Sequence, residues 1–507
     1  MLPPNHASPE FSLVAITGAP LPVDLPKDVT PLDRAACRAY LDQNTFRLQP
    51  IDYGKKYPKW PGSVGLEIEM LPVIAAPAAG LDYPGSMPLQ DPGFSSATIL
   101  RAEAARRGWS IEETTGDHGQ SLLLKLGLEE QDNISFEPGG QVEFSSRPYP
   151  CLGDAVRRMH QMQGLLDRAF AAHGVKFVQV GIDPWHTVSE IGLQMPKGRY
   201  RAMDQHYQAI GEYGQRMMRQ TCTLQVNLDF GASEATMVKR YLASQLFAPM
   251  ATATFAYSPV VDRKDQGVRS FRSRIWRHTD PTHTGFVGID HPLIERGAMT
   301  RQAWVDAYLE FALNATVVFV AALDYYVPRG TITFGEWLTT PIRGVSPTAA
   351  DLATHLSLLF PEVRPRGFLE VRSIDCQPRA FQNVPAAYVT GLLYDDKTLD
   401  RLLDLLLPVR AQLPELIRRA EGGLADPQLA ALAKAVMALA CEGFAALPGC
   451  FKATGGEREL AVFADTFTAR SLTPADAVIA QLKATQATYL PLSGYQTLED
   501  RWAAQLT

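Results

Sequence analysis

Seven acidic or amide side chains, Glu67, Glu69, Glu137, Glu143, Gln225, Asn227 and Glu370, recur on short runs in which polar and apolar residues alternate. The run Ile134–Ser145, ISFEPGGQVEFS, holds two such segments, Ile134–Glu137 and Gln141–Phe144, joined by Pro138-Gly139-Gly140. Proline presets the backbone entering a turn and glycine supplies the positive φ that a tight turn often needs. Successive side chains on a strand point to opposite faces. Gln141 and Glu143 therefore share one face, Val142 and Phe144 the other, and Glu137 leans over the polar face from the turn. Val64–Met70 (VGLEIEM) repeats the construction with Glu67 and Glu69, Thr221–Phe230 (TCTLQVNLDF) with Gln225, Asn227 and Asp229, and Phe368–Arg372 (FLEVR) with Glu370 and Arg372. One such hairpin alone reads as a solvated sheet edge. Four runs built alike read as the polar face of an antiparallel sheet whose apolar back is covered by helices.

So many carboxylates on one face repel one another unless a hard divalent cation neutralises them, and Mg²⁺ suits carboxylate oxygens together with waters and phosphates. An arginine-dense segment, Arg263, Arg269, Arg272, Arg274 and Arg277 with Trp276 and His278 among them, adds planar forks for carboxylate or phosphate. Carboxylates, Mg²⁺ and arginines are the equipment of phosphoryl transfer from a nucleotide. The sequence has neither a Gly-x-x-x-x-Gly-Lys-Ser/Thr loop nor a Gly-x-Gly-x-x-Gly loop, and no order of nucleophile and base stands out. From the residues alone the reading is a Mg²⁺- and nucleotide-using enzyme.

The elements that must position these residues follow from periodicity. Helical spacing is predicted over 31–44, 95–107, 152–173, 200–218, 238–257, 304–327 and 349–360, and almost continuously from about Pro385 onward. The expected organisation is an irregular extension over 1–30, a catalytic part over 31–400, and a helical scaffold over 401–507 packed on it. The chain has 507 residues, 46% of them hydrophobic and 20% charged, with a net charge of −6. That describes a globular protein with a large core, and nothing in its charge points to a nucleic acid or an anionic membrane as a partner. No run of about 18 apolar residues suggests a membrane span, and the N-terminus lacks a signal-peptide pattern. The six cysteines are scattered without metal-binding spacing, which predicts free thiols and a cytoplasmic setting.

Five stretches resemble glutamate–cysteine ligases of the plant and proteobacterial type, within the carboxylate–amine ligases related to glutamine synthetase: ISFEPGGQVEFS, MPKGRY (195–200), MMRQTCTLQVNLDF (217–230), FRSRIWRHTDPTHTG (271–285) and FPEVRPRGFLEVRSID (360–375). Their order and spacing agree over roughly residues 60–400. The resemblance implies an α+β fold, with an antiparallel sheet curved into a half-funnel and flanked by helices. It implies ATP-dependent formation of γ-glutamyl phosphate from L-glutamate, which the amine of L-cysteine then attacks, in a monomer or homodimer. By motif position Glu67, Glu69, Glu137, Glu143, Gln225 and Glu370 would be the Mg²⁺-site residues. Arg372 would face the ATP phosphates, and Arg272 or Arg274 the glutamate carboxylate. Asn227, Lys197 and Arg199 are further candidates for the nucleotide, with a solvated turn as the plain alternative for the last two.

Two departures bear on the expectation. The family's Asp-x-x-Arg-Thr-Gly is Asp280-Pro-Thr-His283-Thr-Gly285 here, which would make a substrate contact at that position pH-dependent. The Gly-Ala-Asp that usually follows Glu-x-Arg is Ser373-Ile374-Asp375, closer to the branch that feeds ergothioneine synthesis, so the pathway stays open between glutathione and ergothioneine. Another amine acceptor, a non-catalytic amino-acid or nucleotide sensor, and a phosphagen-type kinase are the alternatives on the same fold.

Overall fold

Eleven residues, Val64–Ile74, form strand β1, on which the sheet is assembled. In chain order the other strands are β2 (Gly85–Ser86), β3 (Ser110–Thr115), β4 (Ser121–Gly127), β5 (Asn133–Phe136), β6 (Val142–Ser145), β7 (Val175–Val178), β8 (Leu224–Leu228), β9 (Val260–Val261), β10 (Lys264–Asp265), β11 (Thr284–Gly285), β12 (Phe360–Pro361), β13 (Val363–Pro365) and β14 (Leu369–Val371). This computed structural model describes residues 32–48, 60–76, 80–116 and 119–507; the extension expected over 1–30 lies outside them. Ten strands make one sheet in the order β13-β14-β8-β1-β6-β5-β4-β3, with β2 and β7 paired to the far half of β1. Its pairings are antiparallel throughout, so the α+β expectation holds.

The apolar face of β1 (Leu66, Ile68 and Met70) is buried in a core that runs on through the C-terminal helices to Trp502. The long helix Glu234–Thr254 starts at Ser233, whose hydroxyl accepts the Thr236 N–H at 3.1 Å. It is buried along most of its length. The helix Asp396–Leu406 runs across the boundary expected at 400, and the core is continuous there.

Three predicted helices are shorter than their periodicity suggests, and that over 349–360 ends at Leu356 ahead of strand β12. The 200–218 segment is broken at Gly211 (φ 147°) into Gly198–Ile210 and Tyr213–Gln220. The segment 304–327 stops being helical at Asn314, where the run Thr316-Val317-Val318-Phe319-Val320 favours extended backbone. Strand β3, SIEETT, is exposed at every position. A charged edge strand carries no alternation to read.

In the helical layer, Val384–Tyr394 crosses Pro427–Ala446 at a pair of glycines. A Cβ on Gly391 would stand 2.3 Å from the Ala440 carbonyl oxygen, and one on Gly443 would stand 2.0 Å from that of Gly391. Gly391→Ala is therefore expected to lower stability by about 1–3 kcal/mol through overpacking, read as a shifted urea midpoint. An unchanged midpoint would mean that the two helices can separate freely. Pro427–Ala446 is also long and apolar enough to cross a membrane, by length and composition only, and here half of that stretch is buried inside the protein.

Candidate active site

Strand register converts the alternation into a site. Glu69 of β1 stands opposite Glu143 of β6, and Glu67 is flanked by Ser145 of β6 and Gln225 of β8. Asn227 of β8 is opposite Glu370 of β14, which in turn is opposite Arg364 of β13. This face floors a cavity of about 620 Å³ lined by Glu67, Glu69, Glu137, Glu143, Gln225, Asn227, Arg199, Arg272, Arg364, Arg366 and Arg372, among others.

The carboxylates gather on one side. Glu69, Glu137 and Glu143 each offer an oxygen within 4.8 Å of the others. The hydroxyls of Ser135 and Ser145 both donate to Glu143 Oε1 at 2.8 Å. The Thr223 N–H donates to Glu69 Oε2 at 2.8 Å, and Asn227 Nδ2 donates to Glu67 Oε1 at 2.7 Å. Burial, then the charges of Glu143 and Glu370, push the Glu67 carboxyl up to about 7. Burial followed by Glu137 and Glu143 raises Glu69 well above the usual carboxylate range. Burial also raises Glu137, against Arg372, and raises Glu143 with help from Glu137. Oxygen-only ligands that resist ionisation side by side fit a hard divalent cation, whose charge would relieve all of them.

The opposite side is an arginine wall. Arg364 donates to both oxygens of Glu370, through Nε at 2.6 Å and Nη2 at 3.0 Å, while Arg366 and Arg372 each donate through Nη1 at 2.9 Å. Burial alone would raise the Glu370 carboxyl, but Arg364, Arg372 and Arg366 outweigh it and hold the group well below the usual range. Arg372 Nη1 also donates to Gln225 Oε1 at 3.1 Å, and its guanidinium lies 5.2 Å from the Trp276 ring and 5.7 Å from that of Phe360. Glu370 and Gln225, expected as metal ligands, thus have guanidinium partners, and the Glu370 carboxylate falls outside the Glu69, Glu137 and Glu143 group. Glu67 lines the same cavity, tied to Asn227.

Other expectations are corrected by helix phase and burial. In the helix Phe271–Thr279, Arg272 and Trp276 are about one turn apart and both line the cavity. Arg274 is two residues from Arg272 and so lies on the other side, where its Nε donates to Glu421 at 2.7 Å; Arg277 pairs with the same carboxylate. Arg274 is not at the site. Lys197 precedes the helix Gly198–Ile210 and rests 5.7 Å from the Tyr200 ring, outside the cavity lining, whereas Arg199 lines it. His283 is fully buried, its ring nitrogens 3.0 Å from the Leu358 carbonyl oxygen and 2.7 Å from that of Thr316. It braces the chain and meets no substrate there. Arg272→Ala is expected to weaken binding of a carboxylate ligand in this cavity about tenfold or more, the size of one lost charge-assisted bond, whereas Arg274→Ala should move it less than about twofold. The reverse order in binding titrations would reinstate Arg274.

Arg364 and Arg366 are absent from the candidates that the sequence suggests. A signal is present, because they alternate with Val363 and Pro365 just ahead of the FLEVR strand, so a short turn would lay them against Glu370. Ser135 and Ser145 are absent as well, being unremarkable until register brings them to Glu143.

With this geometry in view, the model of glutamate-cysteine ligase family 2 matches residues 100–439, well over half of the chain. The chain belongs to this family. A curated glutamate–cysteine ligase of Medicago truncatula, named chloroplastic, is 35% identical over 324 residues, which are 63% of this chain and 60% of that protein. Its counterpart in Solanum lycopersicum, also named chloroplastic, is 33% identical over 393 residues, 76% of this chain and 71% of that one. The chain thus spans about three fifths of the length of the Medicago relative. Among solved structures, a glutamate–cysteine ligase of Francisella tularensis in complex with AMP aligns with 12% identity and a TM-score of 0.47, over 88% of this chain and 93% of that one. The family match extends past residue 400 and begins after Glu67 and Glu69. The cytoplasmic expectation is overturned by these relatives, which are named chloroplastic. All six cysteines are free, but unpaired thiols report a reducing environment and do not distinguish one reducing compartment from another.

Proposed function

We propose that this protein is a glutamate–cysteine ligase that joins the γ-carboxyl of L-glutamate to the amine of L-cysteine at the expense of ATP, giving γ-glutamylcysteine for glutathione synthesis. The observation that carries the reading is a single cavity with a carboxylate cluster on one side and an arginine wall on the other. Family membership supports the same reading.

A carboxylate is a poor acylating agent because its leaving group would be an oxide. Transfer of the γ-phosphoryl group from ATP to a γ-carboxylate oxygen gives an acyl phosphate and ADP. The amine then forms the amide bond, phosphate leaves, and the ammonium proton is released. Glu69, Glu137 and Glu143 would hold Mg²⁺, with Glu67 beside them, and the bound ion would offset charge on the phosphate oxygens. Arg372, pinned between Trp276, Phe360 and Glu370, is poised for phosphate oxygens, because its position is set before substrate arrives. Arg272, whose Nη2 donates to the Arg372 carbonyl oxygen at 2.9 Å and whose Nη1 lies 3.6 Å from Asp375, adds positive charge at the cavity wall for a substrate carboxylate. Asn227 orients Glu67, and Arg199 adds positive charge near Glu137.

The expected outcome with purified protein is Mg²⁺-dependent release of ADP and phosphate when both L-glutamate and L-cysteine are supplied. ¹⁸O in the glutamate γ-carboxylate should appear in the phosphate. Release of AMP, or label retained wholly in the peptide, would exclude the acyl-phosphate route. Turnover with another amine but not with cysteine would keep the ligase and change its acceptor.

A further inference from the structure

A second cleft of about 240 Å³ lies between the C-terminal helix Leu492–Leu506 and strand β7, closed at one end by Tyr257 and the turn Arg379–Phe381. None of its lining residues lines the cavity described above. Its walls carry three buried aromatic rings, Phe177, Tyr257 and Tyr495. Its polar lining sets two carboxylates, Glu499 and Asp500, and two amides, Gln179 and Gln496, beside Lys176 and Arg379. Gln179 is 3% exposed, and while its amide nitrogen donates to Gln382 at 3.0 Å, its Oε1 has no donor. Glu499 accepts the N–H groups of Arg379 and Ala380 at 3.1 and 3.4 Å, and no side-chain cation pairs with it among the described residues. The neighbouring Arg379 is committed to Asp167 through two bonds of 2.5 and 2.7 Å, and Lys176 is exposed at the rim.

We propose that this cleft is a second binding site, for a small organic ammonium ion with an apolar body. A carboxylate, an unpaired amide oxygen and aromatic faces together are the chemistry that recognises alkylammonium groups, through charge-assisted hydrogen bonds and cation–π contact. An anion would meet Glu499 and Gln179 Oε1 as repulsive neighbours. A neutral apolar molecule would leave that oxygen unsatisfied. Burial pushes the Glu499 carboxyl up to about 7, against the N–H groups of Arg379 and Ala380 and the Arg379 charge. The site stands independently of the ligase reading. It also touches the main cavity through a short chain of contacts. The Tyr257 N–H donates to Asp375 at 2.8 Å, and Asp375 lies 3.6 Å from Arg272.

The test uses the full chain titrated with n-butylammonium chloride by calorimetry, against sodium chloride at equal ionic strength and against 1-butanol, the uncharged molecule with the same number of heavy atoms. Saturable binding is expected for the ammonium and not for the alcohol. Glu499→Gln should weaken it about tenfold or more, and Ala503→Leu, which fills the cleft from the helix one turn after Glu499 and keeps the carboxylate, should abolish it. The second variant decides the matter if the first does not fold. Absence of saturable binding, equal binding of 1-butanol, unchanged affinity in the folded variants, or competition with L-glutamate or L-cysteine would each overturn the proposal.

Discussion

Glu370→Ala is expected to cost about 3–5 kcal/mol of folding stability, the scale for removing one partner of a buried ion pair and leaving the other uncompensated. The carboxylate accepts from Arg364, Arg366 and Arg372 while itself fully buried, so its loss leaves like charges facing one another. Chemical denaturation of the variant should show a much lower midpoint, and turnover should fall with it because Arg372 loses its anchor. Glu370→Gln should recover part of the fold, since the amide oxygen still accepts a hydrogen bond, but little of the activity. If Glu370→Ala melted like the parent, the arginines would have to be solvated, and the wall described above would not exist in solution.

Glu143→Gln should do the opposite. Turnover is expected to drop by about 100-fold or more, the size of a removed transition-state electrostatic contact, while the metal-free protein becomes more stable. Glu69, Glu137 and Glu143 crowd together, and all three carboxyls are raised by burial first and then by a neighbouring carboxylate: Glu137 and Glu143 at Glu69, Glu67 at Glu137, and Glu137 at Glu143. The sign with pH follows. A carboxyl whose folded pKa is above its unfolded value stabilises the fold below the unfolded pKa, and that stability is lost as pH rises through the folded one. With Glu67 at about 7 against an ordinary 4.5, the melting temperature in chelator should fall between about pH 5 and pH 8, less steeply in Glu143→Gln. Added Mg²⁺ should restore the parent far more than the variant. A flat profile in chelator, or equal rescue of both proteins, would remove the carboxylate cluster from the metal assignment.

Much of the candidate site is legible in the sequence, because a strand's two-residue period sorts its side chains by face without tertiary information. Glu67, Glu69, Glu143, Gln225 and Asn227 line one cavity because each sits on an alternating run. The helical C-terminal part is equally readable from its periodicity. The roles within the site are not. Glu69 and Glu370 look alike along the chain, each a carboxylate between apolar neighbours, yet one faces Glu143 and the other Arg364. A carboxylate's electrostatic character depends on which strand pairs beside it, and pairing joins residues far apart in sequence. Arg274 fails for a related reason. Five arginines in one segment read as one cluster, but the 100° step of a helix sends Arg272 to the cavity and Arg274 to Glu421. Residue type and period determined which groups could do chemistry; register and helix phase, set by the packing of distant segments, decided which carboxylates remain to meet a cation and which already have one.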